Sequence, residues 1–289
     1  MPLPTRILCT TLALAAAPVC LGLAQQRRIL PSGDAQAQLM GYYAAAMGFS
    51  PVGLPDPHGR WEVGASLGFI PSLPVGDRAV GFGGTKVEDS NLCPVYPRLV
   101  AAKGFGRVAL EAGWTPPLKA CGVQADVGSL AASYRLRLAP GWDALLRAST
   151  VFGYLDAAIT CSADATRDAT DQTCFGGQPS KDRVSPLTGS LDALLGYGGL
   201  GENGLGLYLM LGVRREQVHF DVNYQRAAGA LPALDDRQRL ASTLTRVHGA
   251  LGATLTRFGP VRLGGELYYA PGALLTLRGR ATVALGRGR

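Results

Sequence analysis

Between Trp142 and Tyr154 the side chains alternate in character. Trp142, Ala144, Leu146, Ala148, Thr150, Phe152 and Tyr154 fall on one face of an extended chain; Asp143, Arg147 and Ser149 fall on the other. Period two is the spacing of a β-strand. At a rise of about 3.3 Å per residue this face is roughly 40 Å long, or roughly 30 Å at the tilt of barrel strands. That is the thickness of a bilayer's hydrocarbon core, and aromatic residues stand at both ends, where the two interfaces would lie. Soluble strands rarely need such length. The pattern recurs along the chain, which predicts an all-β fold: an antiparallel, up-and-down transmembrane β-barrel of about ten strands with a short N-terminal helix.

The 289 residues suffice for one large all-β domain, and no long uncharged block follows residue 30, so helical membrane spans are not expected. Residues 1–24 read as a secretory signal: Arg6 is the positive region, Ile7 to Val19 the apolar stretch, and Gly22-Leu23-Ala24 a small-x-small cleavage site before Gln25. Pro18 interrupts the stretch, against a retained anchor, and Ala17-Pro18-Val19 before Cys20 fits a lipoprotein signal poorly. Export leaves Cys93, Cys121, Cys161 and Cys174, an even number that predicts two disulfides in an oxidising compartment. No pair has the tight spacing of a metal site and His is scarce, so neither metal nor other cofactor is expected. The net charge of +7 resides mostly in Arg on strand faces opposite the apolar ones. Lipopolysaccharide phosphates and lumen ion pairs suit that placement better than nucleic acid, which would call for a basic run with interleaved aromatics.

Residues 25–58 form an N-terminal segment before the barrel of residues 59–289. Ala, Gln, Met and Leu over Asp34–Phe49 predict a helix, with Ser32 or Asp34 as N-cap and one apolar stripe of Leu39, Tyr43 and Met47. Pro51, Pro55 and Pro57 end it. It either covers the periplasmic mouth or plugs the lumen. The strands then follow: about Gly59–Pro71; Pro97–Gly104; from Val108 to Trp114; Gly122–Leu138; the run from Trp142; from Leu187 to Tyr197; from Leu205 to Val213; from Val247 to Leu255; from Val261 to Tyr269; and from Leu275 to Leu285. Beyond Arg214-Arg215 the apolar set changes parity to Val218, Phe220 and Val222, which implies a bulge or an exit from the membrane near Arg215. A polar loop is expected over Asn223–Arg237. With the first strand running outward, every long loop falls outside and the turns at Phe105, Pro140, Gly201 and Gly259 fall inside, the expected asymmetry. All four cysteines then lie outside: Cys93 with Cys121 would tie loops one and two, and Cys161 with Cys174 would close loop three.

The inward faces carry Glu62, Arg107, Glu111, Arg135, Arg137, Asp143, Arg147, Asp192, Arg246, His248, Arg262, Glu266, Arg278 and Arg280. Buried charges must be paired or hydrated, so these predict either an ion-paired network in a narrow barrel or an Arg-lined path that prefers anions. In the second case Arg135, Arg147, Arg246 and Arg278 would line the route of a small solute. Catalysis is not expected. His248 and Ser242 share a face but lie roughly 20 Å apart along the strand, against the roughly 3 Å of a nucleophile–base pair. His219 has only Asp221 on its face, and His58 precedes the first strand in a Pro-rich linker.

This layout resembles Gram-negative outer-membrane β-barrels, and the Ala-rich helical segment before the first strand, about residues 34–60, is similar to the hatch region of FadL-type hydrophobic-solute channels. The first resemblance implies residence in the bacterial outer membrane, contact with its lipid and lipopolysaccharide, and insertion by the barrel assembly machinery. The second implies passage of hydrophobic molecules. The expectation is a porin-like, narrow passive channel for small hydrophobic or anionic solutes, or else a non-conducting barrel that works through disulfide-stapled external loops.

Overall fold

A computed structural model describes residues 27–53, 60–84, 86–89, 92–198, 204–229 and 231–285. The signal sequence expected over residues 1–24, His58 and the turn expected at Gly201 lie outside them. In chain order the elements are β1 (Arg28–Leu30), α1 (Ala35–Ala46), β2 (Trp61–Phe69), α2 (Val75–Arg78), β3 (Ala79–Val80), α3 (Gly81–Gly84), β4 (Lys86–Val87), β5 (Val95–Phe105), β6 (Val108–Thr115), β7 (Lys119–Ala120) and β8 (Val123–Ala139). There follow β9 (Trp142–Ala157), β10 (Asp182–Tyr197), β11 (Leu205–Arg226), β12 (Leu234–Phe258), β13 (Val261–Ala270) and β14 (Leu274–Leu285). Ten of these, β2, β5, β6 and β8 to β14, pair antiparallel each with the next, and β14 pairs back onto β2 from Arg278↔Gly68 to Leu285↔Trp61. The barrel is closed, so its wall exposes no sheet edge to lipid.

Short turns gather at one end. Between β5 and β6 Gly106 takes φ +67°, and between β8 and β9 Gly141 takes φ +77°, a left-handed conformation that glycine adopts without steric cost. The long connections gather at the other end, which is therefore the cell-surface end. Outward-facing Leu195, Leu209, Leu251, Leu267 and Leu277 are all more than two-fifths exposed. They belong to an apolar belt that Trp142 and Tyr197, in tilted contact with ring centroids 5.0 Å apart, close at the turn end. No described helix is long and apolar enough to cross a membrane; the strands do so instead. A closed barrel with this belt is an outer-membrane protein.

Alternation in β11 continues unbroken from Leu205 to Arg226, and its register with β10 and β12 has no shift at Arg215. The parity change in the sequence is thus the membrane exit and not a bulge. Below Arg214 the leucines point out; above it Val218, Phe220, Val222 and Tyr224 are buried inside, while Arg215, Gln217 and His219 point out. The same inversion occurs in β8, where Val123, Ala125 and Val127 turn inward. The wall turns its apolar side toward lipid in the membrane and toward its own core in water.

Several elements run longer than the sequence pattern suggested. The polar loop between β11 and β12 shrinks from Asn223–Arg237 to residues 227–233, because polar residues there occupy the outer face of strands that stand in water. The wall is consequently uneven. β11 and β12 stand tall, whereas β13 and β14 stop at Ala270 and Leu274. Above that low side β1 pairs parallel with Leu240–Ser242 of β12.

Candidate functional site

Helix α1 lies inside the barrel and packs against β10, β11, β12 and β14. Asp34 caps it, accepting the Gln36 N–H at 2.8 Å. From Leu39 to Met47 every residue is buried, so the single stripe predicted from Leu39, Tyr43 and Met47 is one part of a helix that is covered all round. Gly41 permits this enclosure: a Cβ there would lie 2.4 Å from the Leu244 side chain. The helix starts beside the surface loops and its tail, Met47 to Gly53, descends toward the short-turn end.

The tail is held through its backbone. A helix C-terminus leaves carbonyls without partners and carries partial negative charge. Wall arginines supply the donors. Arg278 Nη2 donates to Ala45 O at 3.2 Å, Arg98 Nη2 to Met47 O at 2.7 Å, Arg147 Nη1 to Phe49 O at 3.3 Å and Arg280 Nη1 to Pro51 O at 3.0 Å. The Phe49 ring lies between two guanidinium groups, Arg98 at 5.0 Å and Arg147 at 4.8 Å. Ser50 accepts from Arg278 at 2.7 Å and donates to Glu266, which also accepts from Tyr208 at 2.8 Å.

Three of the same cations, Arg147, Arg278 and Arg280, also pair with carboxylates of the wall. Arg147, whose side chain is fully buried, meets Glu111 at 3.5 Å and Asp192 at 3.2 Å, and Arg280 meets Glu111 at 3.0 Å. His248 Nε2 lies 2.8 Å from the second Asp192 oxygen. Arg246 lies 3.8 Å from Glu216 and donates to Gln38 Oε1 at 2.5 Å. Arg262 pairs with Glu62 at 2.6 Å, and Arg135 with Asp143 at 2.6 Å.

Of the residues assigned to the lumen, Glu62, Glu111, Asp143, Arg147, Asp192, Arg246, His248, Arg262, Glu266, Arg278 and Arg280 are buried within the wall, and Arg135 is half-buried near the turn end. Two are not in the lumen. Arg107 lies in the tight turn after β5 and is exposed, and the Arg137 side chain is 68% exposed beside the turn after β8. Inward parity means little at a strand's last residues, where the wall ends and water begins. Arg98, Arg214 and Glu216 were missed. Parity carried back from Leu99 and onward from Val213 would have found all three, since each continues an alternation already visible. Ser242 is buried beneath the crown, and His248 is occupied by Asp192; His219 is exposed above the membrane.

Over the plug the external segments form a packed crown. Cys93 bonds Cys121, and Cys161 bonds Cys174, as the loop topology predicted. Asp182 organises the base of loop three: one oxygen accepts from Ile159 N at 3.0 Å, Thr160 N at 2.6 Å and the Ser180 hydroxyl at 2.7 Å, the other from Asn223 N at 2.9 Å. Burial nonetheless raises its pKa. Loop one joins through Asp89 N, which donates to Ile159 O at 2.9 Å. Beneath it lies a buried ion pair, Lys86 with Glu88 at 3.1 Å. The tip of β11 grips loop three, with Tyr224 donating to Cys174 O at 3.0 Å and Arg226 to Gln172 O at 2.7 Å.

No protein-family model and no curated protein matches this sequence. Among solved structures it is similar to Ail, the attachment invasion locus protein of Yersinia pestis, in complex with the heparin analogue sucrose octasulfate (10% identity over 78% of this chain and 96% of that one, TM-score 0.28). It is also similar to the translocator domain of the autotransporter NalP from Neisseria meningitidis (13% identity, 88% and 96%, TM-score 0.36) and to a Rhodopseudomonas blastica porin (11%, 78% and 99%, TM-score 0.20). These are likenesses of barrel architecture alone, and they do not extend the resemblance to FadL-type channels.

Proposed function

We propose that this protein is a barrel closed at rest, without enzymatic activity, whose working surface is the crown of external loops. The observation that carries this reading is the enclosure of α1. Its tail carbonyls are clamped by four buried wall arginines, and three of these, Arg147, Arg278 and Arg280, also pair with wall carboxylates, so among the described residues these charges are engaged inside the wall and do not line an open path. The crown is cross-linked by two disulfides and by hydrogen bonds between loop three and the tip of β11. Lipopolysaccharide phosphates are the expected partners of outward-facing Arg215 at the membrane exit, and the barrel assembly machinery is the expected route of insertion.

A narrow, anion-preferring channel is the second reading, favoured by what withdrawal of the plug would leave behind. Arg98, Arg147, Arg278 and Arg280 would lose their carbonyl acceptors and line an open lumen. A hydrophobic solute has little to bind among paired charges. Planar-bilayer recording separates the readings. The intact chain is expected to be silent, and a chain lacking Asp34–Phe49 to show anion-selective steps. Steps from the intact chain would overturn the closed-barrel reading.

A further inference from the structure

The low side of the wall leaves a groove that the plug and crown do not fill. β13 and β14 end at Ala270 and Leu274, while α1 and the start of loop one rise beyond them. Between these elements lies a cavity of about 920 Å³, within the range of small-molecule sites. Its floor is apolar and buried: Leu39 and Tyr42 of α1 and Leu274 are 3%, 2% and 6% exposed. Its rim is Tyr269 and Leu275, 52% and 53% exposed, the last members of the lipid-facing rows of β13 and β14. Leu73 and Pro74 of loop one line the opposite side. Gly33 and Gly76 also line it, and a Cβ on either would meet nothing within 4 Å, so both positions have room for a larger side chain.

We propose that this groove takes one acyl chain of an outer-leaflet lipid. The argument is continuity. The rows that face hydrocarbon along β13 and β14 run without a polar interruption into the groove, at the level where a tyrosine marks the membrane interface. The lining also includes Gln38, Ser72 and Asp77, but the floor and the membrane-facing rim are apolar, so a chain entering from the lipid side covers apolar surface that water would otherwise meet. A chain seated there rests on α1, so lipid and plug share a surface.

The test uses the full-length protein in vesicles that contain phosphatidylethanolamine with a photoreactive group on its acyl chain. Cross-links are mapped by mass spectrometry. The expected result is labelling of α1 around Leu39 and Tyr42 in addition to labelling of belt residues such as Leu267. Gly76→Trp, at a lining position where a Cβ would meet open space, should reduce labelling of α1 at least fivefold and leave the belt labelling unchanged. Gly33→Phe is a second filling variant, and retained belt labelling reports that each variant's barrel is intact. Labelling confined to the belt would overturn the proposal. So would labelling of α1 by a free photoreactive fatty acid added from the aqueous side but not by the membrane lipid, which would place the source in the medium.

Discussion

Arg147 shows what a single residue does here. It lies between Glu111 and Asp192, donates to Phe49 O and stacks on the Phe49 ring, with no exposed side-chain surface. Arg147→Ala would leave Glu111 with Arg280 and Asp192 with His248 as their remaining partners, and would remove the donor to the Phe49 carbonyl. A loss of about 3–5 kcal/mol is expected in urea unfolding in lipid vesicles, the usual consequence of breaking a buried pair from one side. Arg137→Ala, at an exposed position two residues from a turn, should change stability by less than about 0.5 kcal/mol in the same assay. Glu88 offers a pH test. Burial pushes its pKa from 4.5 up to about 7, against the opposing pull of Lys86. The folded crown therefore binds this proton more tightly than the unfolded chain. Its contribution is complete below the ordinary carboxylate range and is lost as pH rises through about 7, up to about 3 kcal/mol in all. Limited proteolysis of loop one should accelerate between pH 5 and pH 8, and Glu88→Gln should flatten that profile.

At the scale of the element, the plug is held by contacts with backbone more than with side chains. Its tail passes so close to β13 that a Cβ on Gly264 would lie 2.4 Å from Val52 O. Gly264→Ala should force the tail away, at a cost of about 1–3 kcal/mol typical of overpacking. The expected readout is flickering conductance from a barrel that is otherwise silent; silence equal to the parent's would show that the tail is not what closes the lumen. Donation to carbonyls also explains why the helix needs no charged residues of its own. The wall carries the cations that hold the plug, which offers them its carbonyls together with the Ser50 hydroxyl, the Gln38 amide oxygen and the Phe49 ring.

For the whole molecule, the barrel reverses its polarity along its axis at Arg214-Arg215. Leu209 and Gln217 both point outward on β11, on either side of that level. Leu209→Arg should cost about 2–4 kcal/mol and Gln217→Arg about 0–1 kcal/mol, read as urea midpoints in lipid vesicles. Equal costs would mean that the membrane boundary lies elsewhere. The reversal also accounts for the uneven wall: tall strands are stable only where they enclose a core of their own, and β9 to β12 do so with Leu155, Val184, Phe220 and Leu240.

Much of this was legible in the sequence. The facing of each membrane strand follows from period-two alternation, a local property, and the ends follow from turn glycines and loop lengths. Disulfide pairing followed from loop order: Cys93 and Cys121 fall in successive external loops, and Cys161 and Cys174 fall in one loop. Parity misled only where strands leave the membrane: Arg107 and Arg137 at the turns, and the span beyond Arg215, where an unchanged backbone carries an inverted pattern. The sequence by itself thus determined a closed transmembrane barrel of about ten strands, because lipid imposes its rule residue by residue. Tertiary structure alone decided that α1 fills the lumen and that the arginines grip it. Those contacts join residues far apart, Ser50 to Arg278 and Phe49 to Arg147, and no local period encodes which wall residue will meet which carbonyl.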